Sequence, residues 1–133
     1  MATKPVLVVE DDPTLARAIV RNLSARGYVA RSAATVADAM DAIAEARPTL
    51  VLLDIDLPDG SGWEVLRGLR AAGHSDIPVI VMSALRPNPR LCEDLHPAAV
   101  LEQPFPMASL LRLVTQCSGR TEEPSRVDAE AEG

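Results

Sequence analysis

The chain alternates short, continuous apolar runs with stretches in which apolar residues recur every third or fourth position. Pro5-Val6-Leu7-Val8-Val9 is unbroken and rich in β-branched residues, as a strand buried on both faces should be. Asp12-Pro13 then supplies an N-cap and a first-turn proline, Leu15, Ile19 and Leu23 follow at spacing four, and Gly27 ends the helix. Tyr28 to Ser32 predicts a short, weaker strand. Thr35 caps a second helix whose stripe is Val36, Ala39, Met40 and Ile43, before Pro48. Thr49-Leu50-Val51-Leu52-Leu53 predicts another buried strand, which breaks at Asp54 into a loop of turn residues reaching Gly62. Trp63, Leu66 and Leu69/Arg70 carry a third helix to Gly73. Ile77 to Met82 predicts a fourth strand and Ala98 to Leu101 a short fifth. Met107 to Cys117 is the last helix, with Leu110, Leu111 and Val114 inward.

One segment breaks the rhythm. Between Arg86 and Pro97, three prolines (Pro87, Pro89, Pro97) leave room only for a short, irregular fourth helix, about Arg90 to Leu95. Strands that alternate with helices imply right-handed crossovers, hence an α/β fold with a doubly wound, five-stranded parallel sheet covered on both faces. If the strand order is 2-1-3-4-5, the first and third strands are neighbours that flank the switch point. The folded domain is expected to span residues 1–117.

Composition narrows the class. Of 133 residues, 47% are apolar but only Tyr28, Trp63 and Phe105 are aromatic, so the core is aliphatic and Trp63 is expected to be part of it. No apolar stretch reaches the roughly 18 residues of a membrane span. The opening Met-Ala-Thr-Lys-Pro leads directly into a strand, which gives no secretory signal. Cys92 and Cys117 fit no metal spacing and read as free thiols of a cytoplasmic protein. His74 and His96 support no functional role. The net charge of −6 and the scattered arginines argue against a nucleic-acid surface. Residues 118–133 carry five acids and two arginines with almost no large apolar group, and are expected to be a disordered acidic tail.

Chemistry is expected where strands end. In an open parallel sheet, sites form outside the carboxyl ends of the strands, at the switch in strand order. Glu10 and Asp11 follow the first strand, Asp54 the third and Ser83 the fourth. Carboxylates that converge in one cleft repel, which raises a pKa or recruits a cation. An oxygen-only set without His or Cys suits Mg²⁺ (or Mn²⁺), and Asp54 could then attack a phosphoryl group. Ser83 could donate to a phosphoryl oxygen. Asp12, before Pro13, reads as a plain helix cap.

These residues carry a family resemblance. Val8-Val9-Glu10-Asp11-Asp12, Leu52-Leu53-Asp54-Ile55-Asp56-Leu57-Pro58-Asp59-Gly60-Ser61-Gly62, Val81-Met82-Ser83-Ala84 and Gln103-Pro104-Phe105 follow one another on the expected elements. Together they resemble the receiver domain of two-component response regulators, a flavodoxin-like fold, over roughly residues 5–117. The resemblance implies that Asp54 is the phosphoacceptor and that Glu10 and Asp11 hold Mg²⁺ together with Asp54, with the backbone carbonyl of Asp56 as a further ligand. It also implies that Ser83, with Ala84 beside it, contacts the phosphoryl group. Pro58 and Gly62 match the family's turn positions. The implied partners are a histidine kinase or histidine phosphotransfer protein and a target protein, met by a monomer or weak dimer.

The departures are equally specific. Receivers carry a lysine before the proline that follows the fifth strand. Here Gln103 stands there, and the only lysine is Lys4. Val100 stands where the family has a switching Tyr or Phe. Losing the cation removes a charge-assisted hydrogen bond of roughly 1.5–3 kcal/mol from a phosphorylated state. The leading expectation is a stand-alone receiver that signals by protein contact, without enzymatic activity beyond its own phosphorylation and dephosphorylation. A second is a degenerate receiver that binds partners without phosphorylation. A third is a phosphatase of the haloacid-dehalogenase type, because Asp54-Ile55-Asp56 also fits its nucleophile motif, although its downstream lysine and late acidic pair are missing. A flavin protein is disfavoured because no Ser/Thr-rich loop follows the first strand.

Overall fold

A computed structural model describes residues 5–84 and 87–118. In chain order the elements are β1 (Val6–Val9), α1 (Pro13–Ala25), β2 (Ala30–Ala33), α2 (Val36–Glu45) and β3 (Leu50–Asp54). A small hairpin follows, β4 (Asp56–Leu57) and β5 (Gly60–Ser61), then α3 (Gly62–Ala71) and β6 (Val79–Ser83). The series ends with α4 (Pro89–Leu95), β7 (Ala99–Glu102) and α5 (Met107–Cys117). Five strands pair in parallel in the order β2-β1-β3-β6-β7. With the hairpin set aside, this is the expected order.

Strand pleating sorts the core into two layers, because successive side chains point to opposite faces. Val6, Val8, Leu50, Leu52, Ile80 and Met82 pack with Ile19 and Leu23 of α1 and with Leu110, Leu111 and Val114 of α5. Their neighbours Leu7, Val9, Val51, Leu53, Val79 and Val81 face the other way, against α2, α3 and Leu95. β1, β3 and β6 are buried along their whole length, which explains their unbroken apolar sequence. Trp63 belongs to the second layer and is buried, as expected.

Helix ends follow local chemistry. Asp12 accepts from the Thr14 N–H at the start of α1, so its reading as a cap holds. Gly27 (φ 89°) and Gly73 (φ 85°) lie just past α1 and α3 in the left-handed conformation that ends a helix. α4 starts at Pro89, one residue before the expected bound. Asn88 caps it through the Arg90 N–H at 2.9 Å, and a proline is tolerated at N1 because that N–H has no helical partner. It is short, as the prolines predict. The expected loop after Asp54 differs in containing an antiparallel ladder, Asp56 opposite Ser61 and Leu57 opposite Gly60. Lys4, and the acidic stretch after Ser118, lie outside the described residues.

Candidate functional site

Parallel register places the acidic residues together. Val9 of β1 lies opposite Leu53 of β3, so Glu10 and Asp54 leave the same end of adjacent strands. Met82 pairs with Asp54, which puts Ser83 at the same rim on β6. Glu10, Asp54 and Ser83 are buried (4%, 6% and 5% exposed), whereas Asp11 is exposed. Carboxylate oxygens of Glu10, Asp11 and Asp54 all lie within 4.8 Å of one another. The sequence reading anticipated this triad.

Hydrogen bonds orient two of the three. Glu10 Oε2 accepts from the Asp12 N–H at 3.1 Å, and Asp54 Oδ1 from the Asp56 N–H at 3.1 Å. Among the described residues, no hydrogen-bond donor faces the buried Glu10 Oε1. A carboxylate beside another carboxylate has no proton to share unless one of them is protonated. Burial therefore pushes the Glu10 carboxyl up to about 8, with the charges of Asp54 and Asp11 adding to it against the Asp12 N–H. Asp54 is raised as well, chiefly by burial, with hydrogen bonding to the Asp56 N–H and to Glu10 opposing the rise and the charges of Asp11 and Asp56 adding to it. Such a cleft has two ways to relieve the repulsion, a shared proton or a cation. Three hard oxygen donors and one orphaned buried oxygen fit a divalent cation such as Mg²⁺.

The loop beyond Asp54 is tightly built. An added Cβ at Gly62 would lie 2.2 Å from the Asp54 carbonyl oxygen, so only glycine allows α3 to begin here. The Gly62 N–H donates to the Ile55 carbonyl at 2.7 Å. Pro58 and Asp59 are the two turn residues of the hairpin, where proline's fixed φ suits the first position. Asp56 opens β4 with an exposed side chain. Ser61 and Glu64 form a capping box on α3.

At the far rim, the Gln103 N–H donates to the Ser83 carbonyl at 2.7 Å, which ties the β7–α5 loop to the end of β6. Ala84 follows Ser83 and is exposed, Gln103 precedes a cis peptide to Pro104, and Val100 on β7 is 40% exposed. Two residues were not singled out by the sequence reading. Asp59 bonds the first turn of α2, and the Arg70 guanidinium bonds four main-chain carbonyls, from Leu95, His74, Ile77 and His96. Neither carries a local signal for its long-range role, because Val36 and Ala37, like Leu95 and His96, lie more than twenty residues away in the chain.

Fold and cleft together define a class: an α/β module whose carboxylates converge at the switch point of a parallel sheet. Comparison with known proteins supplies the family. The chain belongs to the response regulator receiver domain family of two-component systems, whose model matches residues 6–114. It is 51% identical to the transcriptional regulatory protein KdpE of Mycobacterium tuberculosis over 79 residues, 59% of this chain and 34% of that protein. It is 34% identical to response regulator MprA of Mycobacterium sp. (strain KMS) over 128 residues, 95% of this chain and 55% of that one. The chain thus spans about half, or less, of the length of these relatives.

The receiver domain protein (CheY-like) from Methanospirillum hungatei shares the fold at a TM-score of 0.83 and 23% identity, over 89% of this chain and 95% of its own. TrrA from Thermotoga maritima, solved in complex with Mg²⁺-BeF, aligns at a TM-score of 0.74 and 25% identity, over 86% of this chain and 99% of its own. The relatives are regulators, so the phosphatase and flavin readings gain no support. The expectation of no nucleic-acid contact gains none either, since one relative is a transcriptional regulator. Among the described residues no helix is long and apolar enough to cross a membrane.

Proposed function

We propose that residues 1–117 form a receiver that accepts a phosphoryl group on Asp54 with Mg²⁺ in the cleft and signals through protein–protein contact in a phosphorelay. The observation that carries this reading is the acidic triad: buried Glu10 and Asp54 with exposed Asp11, their carboxylate oxygens within 4.8 Å, and Glu10 Oε1 without a partner among the described residues. Asp54 is the nucleophile. One of its oxygens is held by the Asp56 N–H, which leaves the other to form the O–P bond as the donor's bond to phosphorus breaks. Glu10, Asp11 and the Asp56 backbone carbonyl complete the cation's protein ligands. Mg²⁺ (or Mn²⁺), when bound, neutralises phosphoryl oxygen charge. Ser83 and Ala84 follow β6 on the side of the cleft away from β1, and the Gln103 N–H bonds the Ser83 carbonyl there; in this reading the Ser83 hydroxyl, the Ala84 N–H and the Gln103 amide serve the phosphoryl oxygens. A histidine kinase or histidine phosphotransfer protein supplies the group. The chain turns over nothing but its own acyl phosphate.

Intact-mass analysis after incubation with Mg²⁺ and a small phosphodonor tests this, beside Asp54→Asn and a metal-free control. One phosphate that requires Mg²⁺ and disappears in Asp54→Asn is the expected result. No adduct, even with beryllofluoride, would reject it.

A second reading is favoured by a specific observation. The neutral residue Gln103 is tied through its N–H to Ser83 at the rim, and Val100 is an exposed aliphatic. Two contacts that would distinguish phosphorylated from resting states are thereby weakened, and partner binding then proceeds without phosphorylation. Gln103→Lys separates the readings. A phosphoreceiver gains retention of beryllofluoride by about tenfold or more, the worth of a charged hydrogen bond. A phosphorylation-independent module shows no change.

A further inference from the structure

Asp59 stands at the tip of the β4–β5 hairpin and reaches an element distant in sequence. Its Oδ1 accepts from the Val36 N–H at 2.8 Å and its Oδ2 from the Ala37 N–H at 3.1 Å. These are the first two residues of α2. The third N–H of that turn, Asp38, is taken by Thr35 Oγ1 at 3.0 Å. The helix therefore has its own local cap, and Asp59 adds a second, long-range one with both carboxylate oxygens engaged. Its negative charge at a helix N-terminus is favourable, and the two N–H groups hold the carboxyl below its usual range.

The other end of the hairpin is fixed separately. Asp56 N–H bonds Asp54 Oδ1, Gly62 N–H bonds the Ile55 carbonyl, and Gly62 lies flush against the Asp54 backbone. The ribbon from Asp54 to Gly62 is thus pinned at its base by the site and at its tip by α2. A two-residue ladder has little stability of its own. Without the tip contact, the ribbon would hinge about Gly62, and the backbone at Ile55-Asp56 would move against the Asp54 carboxylate.

We infer that Asp59 is a positioning residue for the cation site, tying the hairpin to α2 so that the Ile55-Asp56 backbone is held in place beside Asp54. The inference rests on reading the cleft as a Mg²⁺ site. Asp59 itself touches neither cation nor phosphoryl group. A simple capping role would make Asp59 and Thr35 equivalent, since both serve the same turn of α2. A positioning role makes them different, because only Asp59 belongs to the ribbon that carries Asp56.

The test compares wild type, Asp59→Ala, Asp59→Asn and Thr35→Val in the full chain. Mg²⁺ affinity is measured by calorimetric titration and by the fluorescence of Trp63, the single tryptophan. Amide exchange of residues 56–61 is followed without metal. Asp59→Ala is expected to weaken Mg²⁺ binding about tenfold, the low end of what outer-shell partners cost a metal site. Asp59→Asn, which keeps one acceptor oxygen, is expected to fall between it and wild type. Thr35→Val is expected to lower stability while Mg²⁺ affinity stays at the wild-type value. Faster hairpin exchange is expected in Asp59→Ala alone. Wild-type affinity in Asp59→Ala, or an equal loss in Thr35→Val, overturns this inference and leaves the cleft reading standing. A wild-type chain that binds no Mg²⁺ overturns the cleft reading and this inference with it.

Discussion

Burial raises the Glu10 carboxyl more than any neighbouring charge does, and this gives the resting protein a pH dependence of definite sign. The ordinary value is 4.5 and the folded one about 8, so across that interval the folded chain binds a proton that the unfolded chain has lost. Stability must then fall as pH rises through the interval, the reverse of an ion-paired carboxylate. Asp54 is shifted in the same direction and deepens the fall. Asp59, held by the N–H groups of α2, and Asp76, which precedes β6 and pairs with the Arg47 guanidinium, are shifted down and act oppositely at lower pH. Comparison with Glu10→Gln cancels them, since that variant keeps both. In EDTA, wild type is expected to lose thermal stability relative to Glu10→Gln between about pH 5 and pH 8. Added Mg²⁺ is expected to close the gap. A gap constant across that range would mean that Glu10 is not a buried, repelled acid.

Among the helices, α4 has the weakest claim to independent stability. It has seven residues, of which only Leu95 is fully buried, and so short a helix does not persist without tertiary support. Arg70 of α3 supplies that support through its main-chain contacts. Its Nε donates to the Leu95 carbonyl and its Nη2 to that of His96, while Nη1 serves the carbonyls of His74 and Ile77. One planar group thereby joins the end of α4, where His96 adopts a left-handed φ of 52°, to the lead into β6. Arg70→Met keeps the apolar stem and removes the donors. It is expected to cost about 2 kcal/mol in urea unfolding. Amides of α4 should exchange faster while those of β1 and β3 do not. Uniform loss of protection would show that Arg70 supports the whole fold and not α4 in particular.

For the whole molecule, the proposed cation site would couple folding to the binding of the cation. The core of β1, β3 and β6 is complete and buried, yet the same strands deliver Glu10 and Asp54 to one rim, where their repulsion works against the folded state. A cation that binds only the folded chain stabilises it by mass action, about 2.7 kcal/mol at one hundred times Kd. For a domain of this size that corresponds to roughly 10 °C in Tm. Calorimetry in Mg²⁺ against EDTA is expected to show the rise. Asp54→Asn, with one repulsive charge removed, should start higher in EDTA and gain less. Equal gains in both proteins would place the cation elsewhere.

The strand order comes with the family resemblance, whereas local patterns in the chain are enough for the layered α/β fold and for the rim at which the acids gather. Those features rest on local rules: unbroken apolar runs for β1, β3 and β6, a spacing of four in α1, and turn residues after Asp54. Even the short α4 was legible, because proline acts on its own backbone. Burial, pairing and long-range tethering were decided only by the tertiary structure. Glu10 and Asp11 look alike in the chain, yet one is enclosed and the other faces solvent. Asp59 reads as an ordinary turn residue until the hairpin brings it to α2, and Arg70 as part of a helix stripe until α4 folds over it. Each depends on which segments the crossovers set side by side, and no local pattern of residues encodes that distance.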